Sequence, residues 1–377
     1  MQKNKNKLRV LLVSPYTSLV GGISRWTGHI LNHYNSIIDT TNIELEQFYV
    51  EGNPVYNSTS TYKRLVYGVQ KYIPFLKIIS RKLKSTPYDL VHFCSSASIS
   101  LIRDILAARI AKKYNVPSIF HFRFGRIPEL FEKRNWEQKL IHKLISLADK
   151  IIVIDQSSYN TLIKEGYNNI ELLPNPLTPE VKRIIKENTH IKRNKCQILF
   201  AGHVVKTKGV FELIEACKGI PNIKLKMIGY VNDDMRSKLL EVVGENNSWL
   251  EIAGELSYES TIIEMLSCGL FVLPTYTEGF PNVILESMAC GCPIIASSVG
   301  AIPEMLDIKS NDSCGVCIEP KNVKQLKEAI VKFIDDENLA LRYGERAKDR
   351  VNDKYTMDVV WKQMVGIWEA ARYNKTL

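Results

Sequence analysis

The chain has 377 residues, enough for two domains and possibly a third at roughly 150 residues each. Its 45% apolar and 24% charged residues are those of an ordinary globular protein and exclude a disordered, collagen-like or coiled-coil chain. The formal charge of +10 is uneven: residues 1–175 hold 24 Lys+Arg against 13 Asp+Glu, whereas the rest is close to neutral.

The basic start, Met1 to Lys7, is followed by a short strand-like run at 8–13. A signal peptide needs about 7–15 apolar residues and a small-residue cleavage site, and a membrane-spanning helix needs ~18. Neither pattern is present in the sequence, so a cytoplasmic location is expected. Further strand-like runs lie at 90–93, 118–122 and 151–154, separated by helical patterns at 23–35, 98–114 and 136–147. Between Glu51 and Asp89 no acidic residue occurs, while Lys63, Arg64, Lys71, Lys77, Arg81, Lys82 and Lys84 do. Tyr62, Tyr67, Tyr72, Phe75, Leu76, Ile78, Ile79 and Leu83 are interleaved with them at near-helical spacing. This 62–84 stretch fits a helix lying on an anionic membrane surface. A solvated basic helix face is the plain alternative, and no nucleic-acid-binding motif accompanies the charge.

Pro174, Pro176 and Pro179 mark a linker. Beyond it the alternation resumes, with strands expected at 197–201, 224–228, 271–274 and 293–296 and helices at 209–217, 233–244, 258–268, 281–290 and 322–336. Strands alternating with helices imply parallel sheets covered on both faces, here two Rossmann-like domains. The spacing of Val360, Trp361, Met364, Val365, Ile367 and Trp368 predicts a final amphipathic helix. The expected division is 1–175, 176–355 and a last helix within 356–377.

Eight cysteines occur, including Cys290-Gly-Cys292 and Cys314-Gly-Val-Cys317, a pattern that invites a four-sulfur zinc site. However, the first pair flanks a helix-ending glycine, and Cys317 lies in a strand-like run at 315–318. Buried, reduced thiols are the expectation, with no structural metal.

Ligands of doubly wound sheets bind beyond the carboxyl ends of the strands. The segment 270–297 has that form: a strand, a loop carrying Glu278 and Gly279, a helix opening at Pro281, and Gly291 and Pro293 to end it. Such a helix start is an anion site, open to Gly279, Phe280, Asn282 and Val283 amides. Glu286, inside the helix, needs a partner, and paired sugar hydroxyls would supply donors. On spacing alone, Glu278 as an exposed loop residue and Glu286 on a solvated face is the slightly favoured reading.

The run from Glu278 through Glu286 to Glu304, with seven residues between the two glutamates, closely resembles the signature of the family 4 retaining glycosyltransferases. Phe200-Ala-Gly202-His203 through Lys208-Gly209 resembles that family's donor-phosphate loop. Gly229-Tyr230 and Gly254-Glu255-Leu256 resemble its nucleoside-pocket loops. Gly21-Gly22, His121 and Pro174-Asn175 match more loosely, and the likeness is weakest over 40–90.

The resemblance implies a GT-B α/β fold: two Rossmann-like domains facing each other across a cleft, with the last helix crossing back to the first domain. It implies that Glu278 contacts the transferred sugar, Glu286 holds the ribose and Lys208 pairs with the diphosphate. Gly22 would admit the donor phosphates, His121 would line the sugar site, and Gly202, His203, Gly229, Glu255, Leu256, Gly279, Phe280, Pro281 and Asn282 would complete the donor pocket. Where the family carries an arginine after Gly202, this chain has His203, which makes no bidentate fork; Lys206 is a substitute cation.

The implied reaction transfers a sugar, with retention, from a nucleotide-diphosphate sugar, a UDP-sugar, to a glycan or lipid-linked glycan. No metal is expected, because Lys208 and the helix terminus meet the leaving charge and no Asp-X-Asp triplet is present. A binding protein that lost transfer, a nucleotide-sugar epimerase and a nucleic-acid binder are the competing readings.

Overall fold

A strand buried on both faces of a parallel sheet reads as an unbroken apolar run, because helices cover it above and below. The computed structural model shows this for both halves of the chain. It describes residues 7–15, 22–50, 61–245 and 247–373, with the backbone alone at 50 and 61–71. Gly21 lies outside the described residues. The chain divides into two compact units, Met1–Pro174 together with Val360–Leu377, and Asn175–Val359.

In the first unit, β1 (Leu8–Pro15), α1 (Gly22–Ser36), β2 (Ile43–Val50), α2 (Thr61–Ser85), β3 (Leu90–Ser95) and α3 (Ser100–Lys113) come first. They are followed by β4 (Ser118–Phe122), α4 (Ile127–Lys133), α5 (Trp136–Ile145), β5 (Lys150–Val153), α6 (Gln156–Lys164) and β6 (Ile170–Leu172). All six strands are parallel, in the order β2-β1-β3-β4-β5-β6.

The second unit holds α7 (Pro179–Glu187), β7 (Asn194–Ala201), a 3-10 turn at Lys206–Lys208, α8 (Val210–Cys217), β8 (Lys224–Ile228), α9 (Asp233–Val243) and β9 (Leu250–Gly254). It continues through α10 (Tyr258–Ser267), β10 (Cys268–Leu273), α11 (Asn282–Ala289), β11 (Ile294–Ser297), α12 (Ile302–Met305), β12 (Val316–Ile318), α13 (Val323–Asp335) and α14 (Glu337–Lys354). Its parallel order is β12-β11-β10-β7-β8-β9. The expectation of two α/β units with parallel sheets holds.

The strands that periodicity left unassigned, β2, β6 and β9, are all edges of their sheets. An edge strand has one neighbour and a wetter face, so its sequence alternates, as in Ile43-Glu-Leu-Glu46. Pro274, expected to end β10, lies just outside it, as a residue without an N–H to donate does.

The basic stretch does form a helix, but its apolar side is already used. Phe75, Ile79 and Leu83 of α2 are buried in the core shared with β3, α3 and β4. Lys82 pairs with Glu46, which also accepts from the Tyr88 hydroxyl. What α2 shows outward is Ile73, Lys77, Ile78, Arg81 and Lys84. The side chains of Lys63, Arg64 and Lys71 lie outside the described residues.

The last helix, α15 (Met357–Tyr373), buries Val360, Trp361, Met364 and Trp368. Trp361 meets His33 and Tyr34 edge-on and tilted, and Trp368 meets His92. All eight cysteines are free and six are buried. Arg193 donates to the carbonyls of Cys268 and Cys290, and the Cys268 and Cys292 sulfurs lie 3.8 Å apart. These thiols pack as small apolar groups. Among the described residues no helix is long and apolar enough to cross a membrane.

Candidate functional site

In the second sheet the strand order reverses between β7 and β10, the switch point at which doubly wound sheets bind their ligands. The β7 loop runs through Gly202 and His203 to the 3-10 turn that carries Lys206 and Lys208. The β10 loop carries Tyr276, Glu278 and Gly279. Lys208 and Glu278 form a short ion pair across this switch point, both mostly shielded from water.

Backbone contacts set the pair in place. Gly209 is left-handed, φ 71°, and any Cβ there would lie 1.9 Å from the Pro274 carbonyl oxygen. Only glycine therefore lets the β7 loop press against the end of β10. The Tyr276 amide donates to the Thr207 carbonyl at 2.9 Å, and the Ala301 amide to the Gly279 carbonyl. The Tyr276 hydroxyl donates to Glu212 at 2.6 Å, and burial together with that carboxylate pushes its pKa up to about 12.

The helix after the loop begins one residue later than expected. Pro281 is the N-cap of α11, not its first helical residue, because its ψ of 113° is extended. The Asn282 and Val283 amides then fall in the first turn, outside the helix's own ladder. Asn175, from the chain entering the second unit, donates to the Asn282 side chain at 3.1 Å and to the Phe280 carbonyl at 3.4 Å. Phe280 is buried against Tyr355. Glu286, half-buried on α11, accepts from the Tyr258 hydroxyl at 3.1 Å. Burial and the Glu286 charge hold that phenol well above its ordinary pKa. Tyr258 also meets Thr178 at 3.3 Å.

The loops leaving β7, β8 and β9 are joined at the backbone. Gly202 donates to the Ile228 carbonyl at 2.9 Å, and Gly229 to that of Gly254 at 2.8 Å. Gly229, φ 133°, approaches so closely that a Cβ would sit 2.0 Å from the Gly202 oxygen. His203, Lys206, Tyr230, Glu255 and Leu256 are exposed around this junction, and the His203 ring stands edge-on to Tyr230. Asn175, Thr178, Tyr258 and Tyr276 complete the site, and of these only Asn175 was marked in the sequence, by the Pro174-Asn175 pair.

In the first unit, Gly22 opens α1, and among the described residues a Cβ there would meet nothing within 4 Å. His121, at the end of β4, is fully buried. It lies edge-on to Trp26 at 5.1 Å, 5.4 Å from the His92 ring, with Arg123 Nη1 3.2 Å from its Nε2. Beside it, after β3, Ala97 and Ser98 are both left-handed without being glycine, φ 67° and 61°. Such geometry persists only where the surroundings enforce it. Glu137 does so, accepting the Ser98 amide at 2.7 Å while held by Arg126.

The sequence matches the family model described as Glycosyl transferases group 1 over residues 181–350. It matches the model described as Glycosyltransferase Family 4 over 37–181. An uncharacterized glycosyltransferase of Methanocaldococcus jannaschii is 28% identical over 349 residues, covering 91% of this chain and 93% of the relative. The N,N'-diacetylbacillosaminyl-diphospho-undecaprenol alpha-1,3-N-acetylgalactosaminyltransferase of Campylobacter jejuni is 28% identical over 295 residues, 71% of this chain and 74% of its own. Among solved structures, Anabaena HepE in complex with UDP superposes with a TM-score of 0.69 at 15% identity, over 96% of this chain and all of that one.

Proposed function

The chain belongs to the group 1, family 4 glycosyltransferases and has their GT-B fold, and from that premise we propose that it moves a sugar from a UDP-sugar to a glycan or lipid-linked glycan acceptor. In this reading it retains the anomeric configuration, needs no metal and serves surface polysaccharide or glycolipid synthesis. The observation that carries it is the Lys208–Glu278 pair at the switch point of the second sheet. A diphosphate entering there takes over Lys208, and Glu278, released, accepts a hydroxyl of the sugar. The first-turn amides of α11 add their partial positive charge, so the leaving diphosphate is met electrostatically as its charge develops. Glu286 turns from Tyr258 to the ribose hydroxyls, while Gly229, Glu255 and Leu256 frame the base.

The relative from Campylobacter jejuni, by its name, acts on a diphospho-undecaprenol substrate; that supports a lipid-borne acceptor here. Cytoplasmic, peripheral docking on an anionic leaflet goes with it, through Lys77, Arg81 and Lys84 rather than through the buried side of α2. Each such cation is worth about 1 kcal/mol near an anionic surface. Replacing all three by Gln should lower partition onto phosphatidylglycerol vesicles by about 10²-fold; unchanged partition removes the docking surface.

His203, standing where the family carries arginine, favours one alternative, a member that binds the donor but turns over poorly. A thermal-shift series with UDP-, GDP- and ADP-sugars without metal, paired with a transfer assay on polyprenyl-diphosphate glycans, separates the two. Stabilisation by UDP-sugars with transfer supports the proposal. Stabilisation without transfer, recovered by His203→Arg, supports the alternative. No stabilisation by any donor overturns both.

A further inference from the structure

Lys208 and Glu278 hold each other in the donor-free protein. On the transferase reading they part when a diphosphate takes the lysine. A β10 loop that depended on the pair would then lose its footing just as the sugar arrives. A second tie, independent of the pair, is needed there, and one residue of the loop has the contacts to supply it.

Tyr276, half-buried, stands two positions before Glu278 and grips the chain on both sides of Lys208. Its amide donates to the Thr207 carbonyl at 2.9 Å. Its hydroxyl donates at 2.6 Å to Glu212, which lies in the first turn of α8, four positions beyond Lys208. Burial and that carboxylate push the phenol up to about 12, so it keeps its hydrogen at neutral pH and is the donor of the bond. The other Glu212 oxygen is buried with no partner among the described residues, so the carboxylate depends on Tyr276. The Thr275 hydroxyl lies 3.4 Å from the same Thr207 carbonyl.

A third loop closes on the ring. Lys321, between β12 and α13, sets its ammonium 4.8 Å from the centre of the Tyr276 ring, a cation–π contact. It does so with a left-handed backbone, φ 66°, which a residue bearing a side chain seldom adopts. One phenol thus joins the loops leaving β7, β10 and β12.

We propose that Tyr276 is a positioning residue: with Glu212 as its anchor and Lys321 as its cover, it keeps Glu278 and Lys208 in register after the pair between them has opened. The timing rests on the transferase reading; the tie itself does not, and is measured without donor. Two ties on one loop back each other up, so removing either alone changes little and removing both changes far more than the sum.

The test is amide hydrogen exchange of the full chain, read over residues 276–280 with β7 and β8 as internal references. Without donor, Tyr276→Phe and Lys208→Ala should each raise exchange of that segment by less than about 3-fold, and together by about 10-fold or more, with the references unchanged. With UDP-sugar bound, Tyr276→Phe alone should give the full rise. In a transfer assay it should lower kcat about 10-fold and leave KM within about 2-fold. Glu212→Gln, which keeps a neutral acceptor, should retain most of the rate. Glu212→Leu should lose what Tyr276→Phe loses, and the two together, with no carboxylate left stranded, should match either single variant. Additive exchange in the Lys208 and Tyr276 variants, a rise shared by β7 and β8, or recovery of kcat when Glu212→Leu is added to Tyr276→Phe each overturns the proposal. A wild-type chain that neither binds nor turns over UDP-sugars overturns the transferase reading instead, and the donor-free exchange still decides the tie.

Discussion

The two units place their candidate groups at the same end of a parallel sheet, but they build that end from different materials. The second unit uses backbone: glycines 209 and 229 let carbonyls approach where a Cβ would collide, and amides from one loop bond carbonyls of the next. The first unit uses side chains drawn from scattered elements. Trp26, His92, His121, Arg123 and Trp368 come from α1, β3, β4, the loop after β4 and α15. Where glycine is scarce it forces Ala97 and Ser98 into a left-handed bend held by a buried carboxylate. A backbone-built site constrains consecutive residues, whereas a side-chain-built site constrains residues far apart in sequence.

Acid should separate the units most strongly. His92 and His121 are neutral and buried when folded, but ordinary imidazoles, pKa near 6.5, when unfolded. Below that pH the unfolded state binds more protons, so stability is full above about 6.5 and falls as pH falls toward 3. The loss is about 1.4 kcal/mol per pH unit for each histidine. The second unit's His190 and His203 are exposed. Acid titration followed by tryptophan fluorescence, which four of the five tryptophans report from the first unit, should show it unfolding first. Simultaneous loss of both units, or loss of the second first, removes this contrast.

Next in size is Lys208→Ala, expected to reduce kcat by about 10²–10³-fold, as loss of one contact to developing charge does. A fall confined to KM would place Lys208 in uniform binding instead. Gly229→Ala should cost about 1–3 kcal/mol, since it adds both an unfavourable φ and a collision. Gly22→Ala meets no described residue and should leave the melting temperature within a degree or two while weakening donor binding. Equal melting of the two variants would show that the steric distinction between units is not real. Smallest is Glu286→Gln, expected to weaken UDP binding about 10-fold by calorimetry, the worth of one charge-assisted hydrogen bond. Unchanged affinity would take Glu286 out of the donor pocket.

The same contrast explains what the sequence disclosed. The loop–helix run from Glu278 to Glu286 is contiguous, so its turn glycines, its proline and its spaced carboxylates stand together. Central strands such as β3 and β4 read directly from their apolar runs. Edge strands β2, β6 and β9 did not, because one wet side breaks the run. Tyr258 and Tyr276 hold Glu286 and Glu212 through contacts spanning 28 and 64 positions, which no local pattern encodes. The basic helix was legible as a helix, but which of its faces is free was not. Lys82 and the Phe75 side are taken by Glu46 and the core, and only the packing decides that.

The first unit's discontinuity has a consequence for the protein's birth. Its sheet is synthesised by Pro174, yet Trp361 and Trp368 arrive only after all of Asn175–Val359 has been made. At ~5–20 residues per second, that interval is on the order of 10–40 s. Throughout it, the nascent first unit has its strands but not the helix whose Trp361 and Trp368 pack on His33, Tyr34 and His92. The second unit, contiguous in sequence, is complete before the first. The chain therefore finishes folding at its own beginning, and slower translation of the second half should prolong the period in which those rings are uncovered.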